Sequence, residues 1–376
     1  STKQVAALNS AQLKTLTSST INDLNANLIK AINGSSLQGL NSVLTAMTST
    51  QLASLNPSQW ALLPTSVLAS FTSKQVANLN SSQLAALSSA QIKAMATDTL
   101  KSLDSSQIQG ISTPALAGIS TSTINGLSNL EIVKFSSKQI AGMSANQIKA
   151  LKADQINNLT SSLLQAIEPN DLAVIETSVI RAITPDQIKQ LTLAQISALT
   201  TYQLSGLTTD QMANLGTAQI KALSSAQVRA LSGAQIGAFS DQIKSLEPNA
   251  IAALSTSAIT AMTGSVNLVG SAQIGLLTTA QIAKLSPTVI TKLSTDQLKG
   301  LASNQLPSLD SNQIRALTST QVNNLTASQL QSISVTALAG LTLSTLSGMQ
   351  KAQYDLFTSA QKAGLTTAQK SVVPTS

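Results

Sequence analysis

SSAQVRAL (224–231) is one copy of a unit, S/T-S/T-A-Q-I-x-A-L, that recurs every eight residues along the chain. One apolar series runs Phe71, Leu79, Leu87, Met95, Leu103, Ile111 and Ile119. A second stands three residues before it, at Val76, Leu84, Ile92, Leu100, Ile108 and Leu116. At 376 residues the chain has room for about 47 such octads. The register slips by one residue near Val43–Met47, near Asp241–Leu246 and near Val266–Leu277.

The spacing decides the conformation. A strand places its apolar residues two apart, whereas these lie three and five apart. A continuous helix advances about 800° in eight residues, so its apolar face would rotate by roughly 80° per repeat. The helix must therefore break and restart in every octad.

The polar residues say where. With the closing Leu as position eight, positions one to four read S/T-x-x-Q, a capping box in which the hydroxyl caps a backbone N–H and the Gln reaches back. The preceding Leu and the following Ile stand as the hydrophobic-staple pair around that box. Pro57, Pro169, Pro185, Pro248 and Pro287 fall at the first helical position, where the missing N–H costs nothing. Asp98, Asp104, Asp154, Asp186, Asp210, Asp296 and Asp310 lie at caps and first turns. Lys14, Lys299 and Arg315, like the position-six cations below, favour the last turn, as the helix dipole prefers.

Single-turn helices lie far below the ~12–15 residues needed for independent stability. The expected fold is therefore all-α: a thin solenoid of about 47 one-turn helices, with an aliphatic core strip and a hydroxyl- and amide-rich exterior. Position seven is mostly Ala or Gly, as at Ala86, Gly110, Gly118, Gly126 and Ala150, so successive turns can approach closely. Near the C-terminus Lys362 and Lys370 replace the aliphatic residue at position five, after Tyr354 and Phe357. Residues 1–349 read as the solenoid, and 350–376 as degenerate repeats that act as its cap. The first octad has no polar cap before it. It is expected either to continue a longer array or to stack on another subunit, with Val5, Leu8, Tyr354 and Phe357 in an end-to-end contact. The start at Ser1 fits a processed chain or an excised fragment, either of which has lost its targeting segment.

Composition narrows the function. Hydrophobic residues make up 43%, aromatics 2% and charged residues 10%, against about 25% charged in ordinary domains. No stretch approaches the ~18 apolar residues of a membrane span. There is neither Cys nor His, which removes thiol and imidazole chemistry and the usual zinc, haem and iron–sulfur ligands. No nucleophile-elbow or phosphate-loop motif is present, and the Ser–Lys neighbours Ser73-Lys74 and Ser137-Lys138 read as a capping hydroxyl beside a surface lysine. Neither catalysis, cofactor nor metal is expected. The scattered Asp residues serve as caps, without the close spacing of a calcium loop.

The net charge of +7 is spread along the chain. Its most functional pattern is the position-six row, Lys93, Lys101, Lys149, Arg181, Lys189, Lys221 and Arg229. With octads stacked in register these form discontinuous stripes suited to anionic polysaccharide. Nucleic acid is a weaker partner, because Trp60, Tyr202 and Tyr354 lie far apart and no aromatic interleaving exists. Ordered hydroxyl rows also suit an ice or crystal surface, but the position-one hydroxyls are already engaged as caps.

LTTAQIAKL (277–285), LTTDQMANL (207–215) and ALSSAQVRAL (222–231) resemble the T-T-A-Q-I-x-A-L octads of very large secreted bacterial surface proteins, often labelled adhesion or haem-utilisation exoproteins. The resemblance implies an exported, cell-surface or extracellular setting. It supports a structural reading, as stalk, filament subunit or spacer, with an adhesin-type glycan binder as the alternative. Haem use finds no axial ligand here.

Overall fold

In the octad Ser144–Leu151, the Gln147 N–H donates to Ser144 Oγ (3.4 Å) and the Ser144 N–H donates back to Gln147 Oε1 (2.9 Å). This is the expected box. Ser144 is extended (φ −72°, ψ 156°), the helix Ala145–Lys149 follows, and Ala150 is still right-handed (φ −76°, ψ −9°). In other octads the closing aliphatic residue is extended too, as at Met95 (ψ 138°) and Leu231 (ψ 140°). Each repeat is thus a short right-handed run followed by an extended step that redirects the chain.

The computed structural model describes residues 1–41, 43–261 and 269–374. Among them lie 42 α-helices of four to six residues and four 3₁₀ helices, and no strand. The five prolines named above open helices Pro57–Ala61, Pro169–Leu172, Pro185–Gln190, Pro248–Ala252 and Pro287–Lys292. The acids and bases also stand where the dipole favours them: Asp186 in the first turn and Lys189 in the last turn of one helix show both. At Gly216 and Gly270, which lack a hydroxyl, the returning half of the box alone forms, from the glycine N–H to Gln219 and Gln273 Oε1.

The chain forms two compact units, Ser1–Ile183 and Thr184–Ser376. In each, the residues at positions five and eight make the core. Ile148, Ile156 and Leu164 are fully buried in the first unit, and Ile196, Ile236 and Ile290 in the second. Trp60 occupies position five of its octad, edge-on to Phe71 at 5.9 Å, and its indole N–H donates to the Leu52 carbonyl (3.3 Å).

The number of octads per turn, which periodicity leaves open, is set by contacts between turns. Helix Ser81–Ala85 packs on Ser105–Gly110, three octads on. A Cβ added to Gly110 would lie 2.6 Å from Ser81 Cα, and one on Gly118 would strike the Ser89 carbonyl. The close approach expected at position seven is therefore real. Gln147 Nε2, meanwhile, donates to the carbonyls of Leu116 (2.8 Å) and Ile119 (2.8 Å), four octads back. Each unit thus winds as a solenoid with between three and four octads per turn.

Those glutamine bonds correct one expectation. The position-four amides are not part of the exterior: Gln139, Gln195, Gln203 and Gln313 are 0–2% exposed. In Gln139 and Gln313 the Oε1 closes the local box and the Nε2 bridges to the turn before. Burial follows from satisfying both ends, since a buried amide without partners costs about 1–3 kcal/mol.

The register slips also depart from the single-turn α pattern. The first holds the 3₁₀ helix Leu44–Ala46, and the second the 3₁₀ helix Ser240–Ser245, where seven residues do the work of eight. Ser240 reaches φ 46°, the one positive φ among described non-glycine residues. Two further 3₁₀ helices, Gly34–Leu40 and Leu306–Ser308, interrupt the α series. The third slip, near Val266–Leu277, lies partly outside the described residues; from Ser271 to Gly275 a normal helix resumes.

Candidate functional site

Three polar positions of the octad face a neighbouring turn, and they carry most of the side-chain chemistry. The first is position four. Gln227 donates to Ile196 (3.0 Å) and Leu199 (2.8 Å), Gln235 to Leu204 (2.9 Å) and Leu207 (2.9 Å), and Gln321 to Ile290 (3.0 Å) and Leu293 (2.8 Å). Where the residue is Thr, a shorter arm reaches one carbonyl: Thr99 Oγ1 donates to Phe71 (2.8 Å) and Thr345 Oγ1 to Leu317 (3.0 Å).

Glu131 is the informative exception. Its carboxylate accepts the Ser128 N–H (2.6 Å) and so completes the box, but it has no proton to send across the turn. Lys134, three residues on, supplies the donor: its Nζ bonds the carbonyls of Leu103 (2.6 Å) and Lys101 (3.4 Å). The sequence held a signal for this second role. A capping box accepts Glu as readily as Gln, yet of the four glutamates only Glu131 stands at position four.

Position six forms a second bridge, in the opposite sense. Asn125 Nδ2 donates to the Ala150 carbonyl (3.1 Å), Asn323 Nδ2 to Gly348 (3.0 Å) and Gln331 Nε2 to Leu356 (3.1 Å), each at position seven three octads ahead. The third is position two, where Ser73 Oγ donates to the Asp98 carbonyl (3.3 Å) and Ser137 Oγ to Ser162 (3.3 Å).

The basic row occupies this same position six. Lys93, Lys149 and Arg181 in the first unit, and Lys189, Lys221 and Arg229 in the second, are exposed, while Lys101 is half-buried with its Nζ beside Gly126. Lys221 pairs with Glu247 at 3.5 Å, both well exposed. Because a turn holds more than three octads, cations of adjacent octads, such as Lys93 and Lys101, point to different sides of the solenoid. Lys149 and Arg181 stand four octads apart, on neighbouring turns.

The residues expected at the ends are placed as follows. Val5 and Leu8 are half-buried, as is Tyr354, while Phe357 is buried. Tyr354 packs on Phe357 with ring centres 5.6 Å apart, and Lys362 Nζ lies 5.2 Å from the Tyr354 ring centre. The lysines at position five turn back on their own chain: Lys362 Nζ bonds the Asp355 carbonyl (3.2 Å) and Lys370 Nζ that of Ala363 (2.9 Å). The amide bridge continues past residue 350, from Gln361 to Leu330 (2.8 Å) and Ile333 (2.9 Å).

The hydrogen bond from Lys351 (2.8 Å) holds the Asp355 carboxyl below its ordinary range. Burial, with Glu168 nearby, raises that of Asp171. Among the described residues no three acidic, His or Cys side chains gather as a metal site, and no helix is long and apolar enough to cross a membrane. Shallow clefts recur between turns, lined by the same octad positions each time, as at Gly110–Thr113 with Ser136, Lys138 and Gln139.

Comparison with known families finds a repeat over part of the chain. Residues 164–201, 204–241 and 290–327 match the ALTTAQ repeat. Each match begins at position five of an octad, at Leu164, Leu204 and Ile290. No curated protein matches the chain.

Proposed function

We propose that the chain is an extracellular structural protein, a stalk or filament subunit of a bacterial cell surface, without catalytic activity. One observation carries the reading: the position-four side chains, joined in several octads by those at positions two and six, are spent on bonds between turns. An added octad therefore extends a bonded lattice and creates no new site. The resemblance of its octads to those of large secreted surface proteins supports the setting. Residues 350–376 fit the role of a cap, since Lys362 and Lys370 put charge where other octads bury an aliphatic side chain.

Variants lengthened by two, four and six consensus octads test this by electron microscopy. Particle length is expected to rise in proportion to octad number; a length that does not follow octad number overturns the reading. Light scattering over a range of concentrations separates its two forms. A strictly monomeric chain without fibres removes the filament subunit and retains the stalk.

A second reading, an adhesin-type module for anionic glycans, is favoured by the exposed Lys149 and Arg229 at position six. Retention on heparin that falls with salt is its expected signature. Retention without salt dependence, or none at low salt, removes it.

A further inference from the structure

In the second unit the bridge between turns fails for most of a turn. Gln219, Gln227 and Gln235 each bond the position-five and position-eight carbonyls four octads back, with distances of 2.8–3.0 Å. Gln242 then reaches a single carbonyl, Leu215 (2.9 Å). The next two octads have Ala250 and Ala258 at position four and so offer no amide from that position. Gln273, after them, again bonds one carbonyl, Leu246 (2.7 Å).

Local support is lost in the same place. The 3₁₀ helix Ser240–Ser245 follows Phe239, which offers no side-chain cap, and Ser240 holds φ 46°, a conformation L-residues disfavour. Glu247 likewise makes no cap bond to helix Pro248–Ala252. The core itself is unbroken: Ile243, Leu246, Ile251, Leu254 and Ile259 are buried. Apolar burial is non-directional, whereas hydrogen bonds fix register. The segment still accepts bonds from the turn after it, Gln273 to Leu246 and Gln281 to Ala252 and Leu254, and Glu247 pairs with Lys221. Toward the turn before it only Gln242, among its described side chains, reaches a carbonyl, so it gives way to sliding and unwinding before its bridged neighbours do.

We propose that Ser240–Ala261 is a built-in joint, the segment of this unit that opens first while the bridged turns before it stay closed. A stiff repeat array that carries load gains from such a site, because local opening absorbs extension and leaves the remaining turns intact. The test is hydrogen–deuterium exchange on the full chain, which reads local opening directly. Backbone amides of Ser240–Ala261 are expected to exchange at least tenfold faster than those of Thr217–Gly237. The double substitution Ala250→Gln/Ala258→Gln offers new amides to the Leu223 and Leu231 carbonyls. It is expected to slow exchange in the segment by about tenfold without changing Thr217–Gly237. Uniform exchange across both segments of the native chain overturns the proposal. So does a double variant of native helicity whose exchange in Ser240–Ala261 is unchanged. Should the double variant lose its helicity, Ser240→Gly replaces it: relief of the positive φ is expected to slow exchange several-fold, and no change counts against the joint.

Discussion

A carboxamide accepts and donates at once, and this chain uses both halves of it at one position. Gln147→Glu keeps the acceptor for the Ser144 N–H and puts a buried carboxylate against the Leu116 and Ile119 carbonyls in place of a donor. At neutral pH the variant is expected to lose about 2–3 kcal/mol, measured by denaturant unfolding. The sign of its pH dependence follows from the protonated form, which can still donate. The folded carboxyl has a raised pKa, so the deficit is smallest in acid and grows as pH rises through that value. The Glu131 and Lys134 pair makes the complementary case. Lys134→Met should cost about 1–2 kcal/mol alone, and close to nothing on top of Glu131→Gln, whose amide would take over the Leu103 carbonyl. Additive effects in that double-mutant cycle would refute the substitution of one donor for another.

At the scale of the element, position seven decides how near two turns lie. Gly110→Ala would drive a methyl group into Ser81 backbone at 2.6 Å, and should cost about 1–3 kcal/mol because backbone on both sides must shift. Gly126→Ala meets only the Lys101 side-chain end, at 3.7 Å, and should stabilise its helix by about 0.5–1 kcal/mol. Thermal melts of the two variants should therefore move in opposite directions. The one-turn helix, its box, its prolines and its dipole-matched charges were legible in sequence because each depends on residues within four positions of one another. The burial of Gln139 and Gln147, the donor role of Lys134 and the position-six bonds were not, since their partners lie 25 to 33 residues away. The basic row suffered similarly: a shared position in the octad does not place Lys93 and Lys101 on a shared side.

For the whole molecule, repetition makes the octad the unit of tolerance. Deleting Thr208–Leu215 removes one octad and lets each later glutamine find equivalent carbonyls, so the chain should fold, with thermal unfolding shifted by only a few degrees. Deleting Thr208–Gln211 leaves half an octad and puts polar side chains against the core; helicity measured by circular dichroism should fall well beyond the four residues removed. Equal behaviour of the two deletions would contradict a stability built from repeats and their nearest neighbours.

The sequence alone determined where most of the helices start, cap and stop, and which aliphatic side chains go inward, because those are contests among groups a few bonds apart. Only the tertiary structure decided how many octads complete a turn, and that the glutamine amides turn inward to bridge it. Winding accumulates from a small rotation at every extended step between helices. No single octad specifies that sum, and the carbonyls that fix it become neighbours only after a full turn has closed.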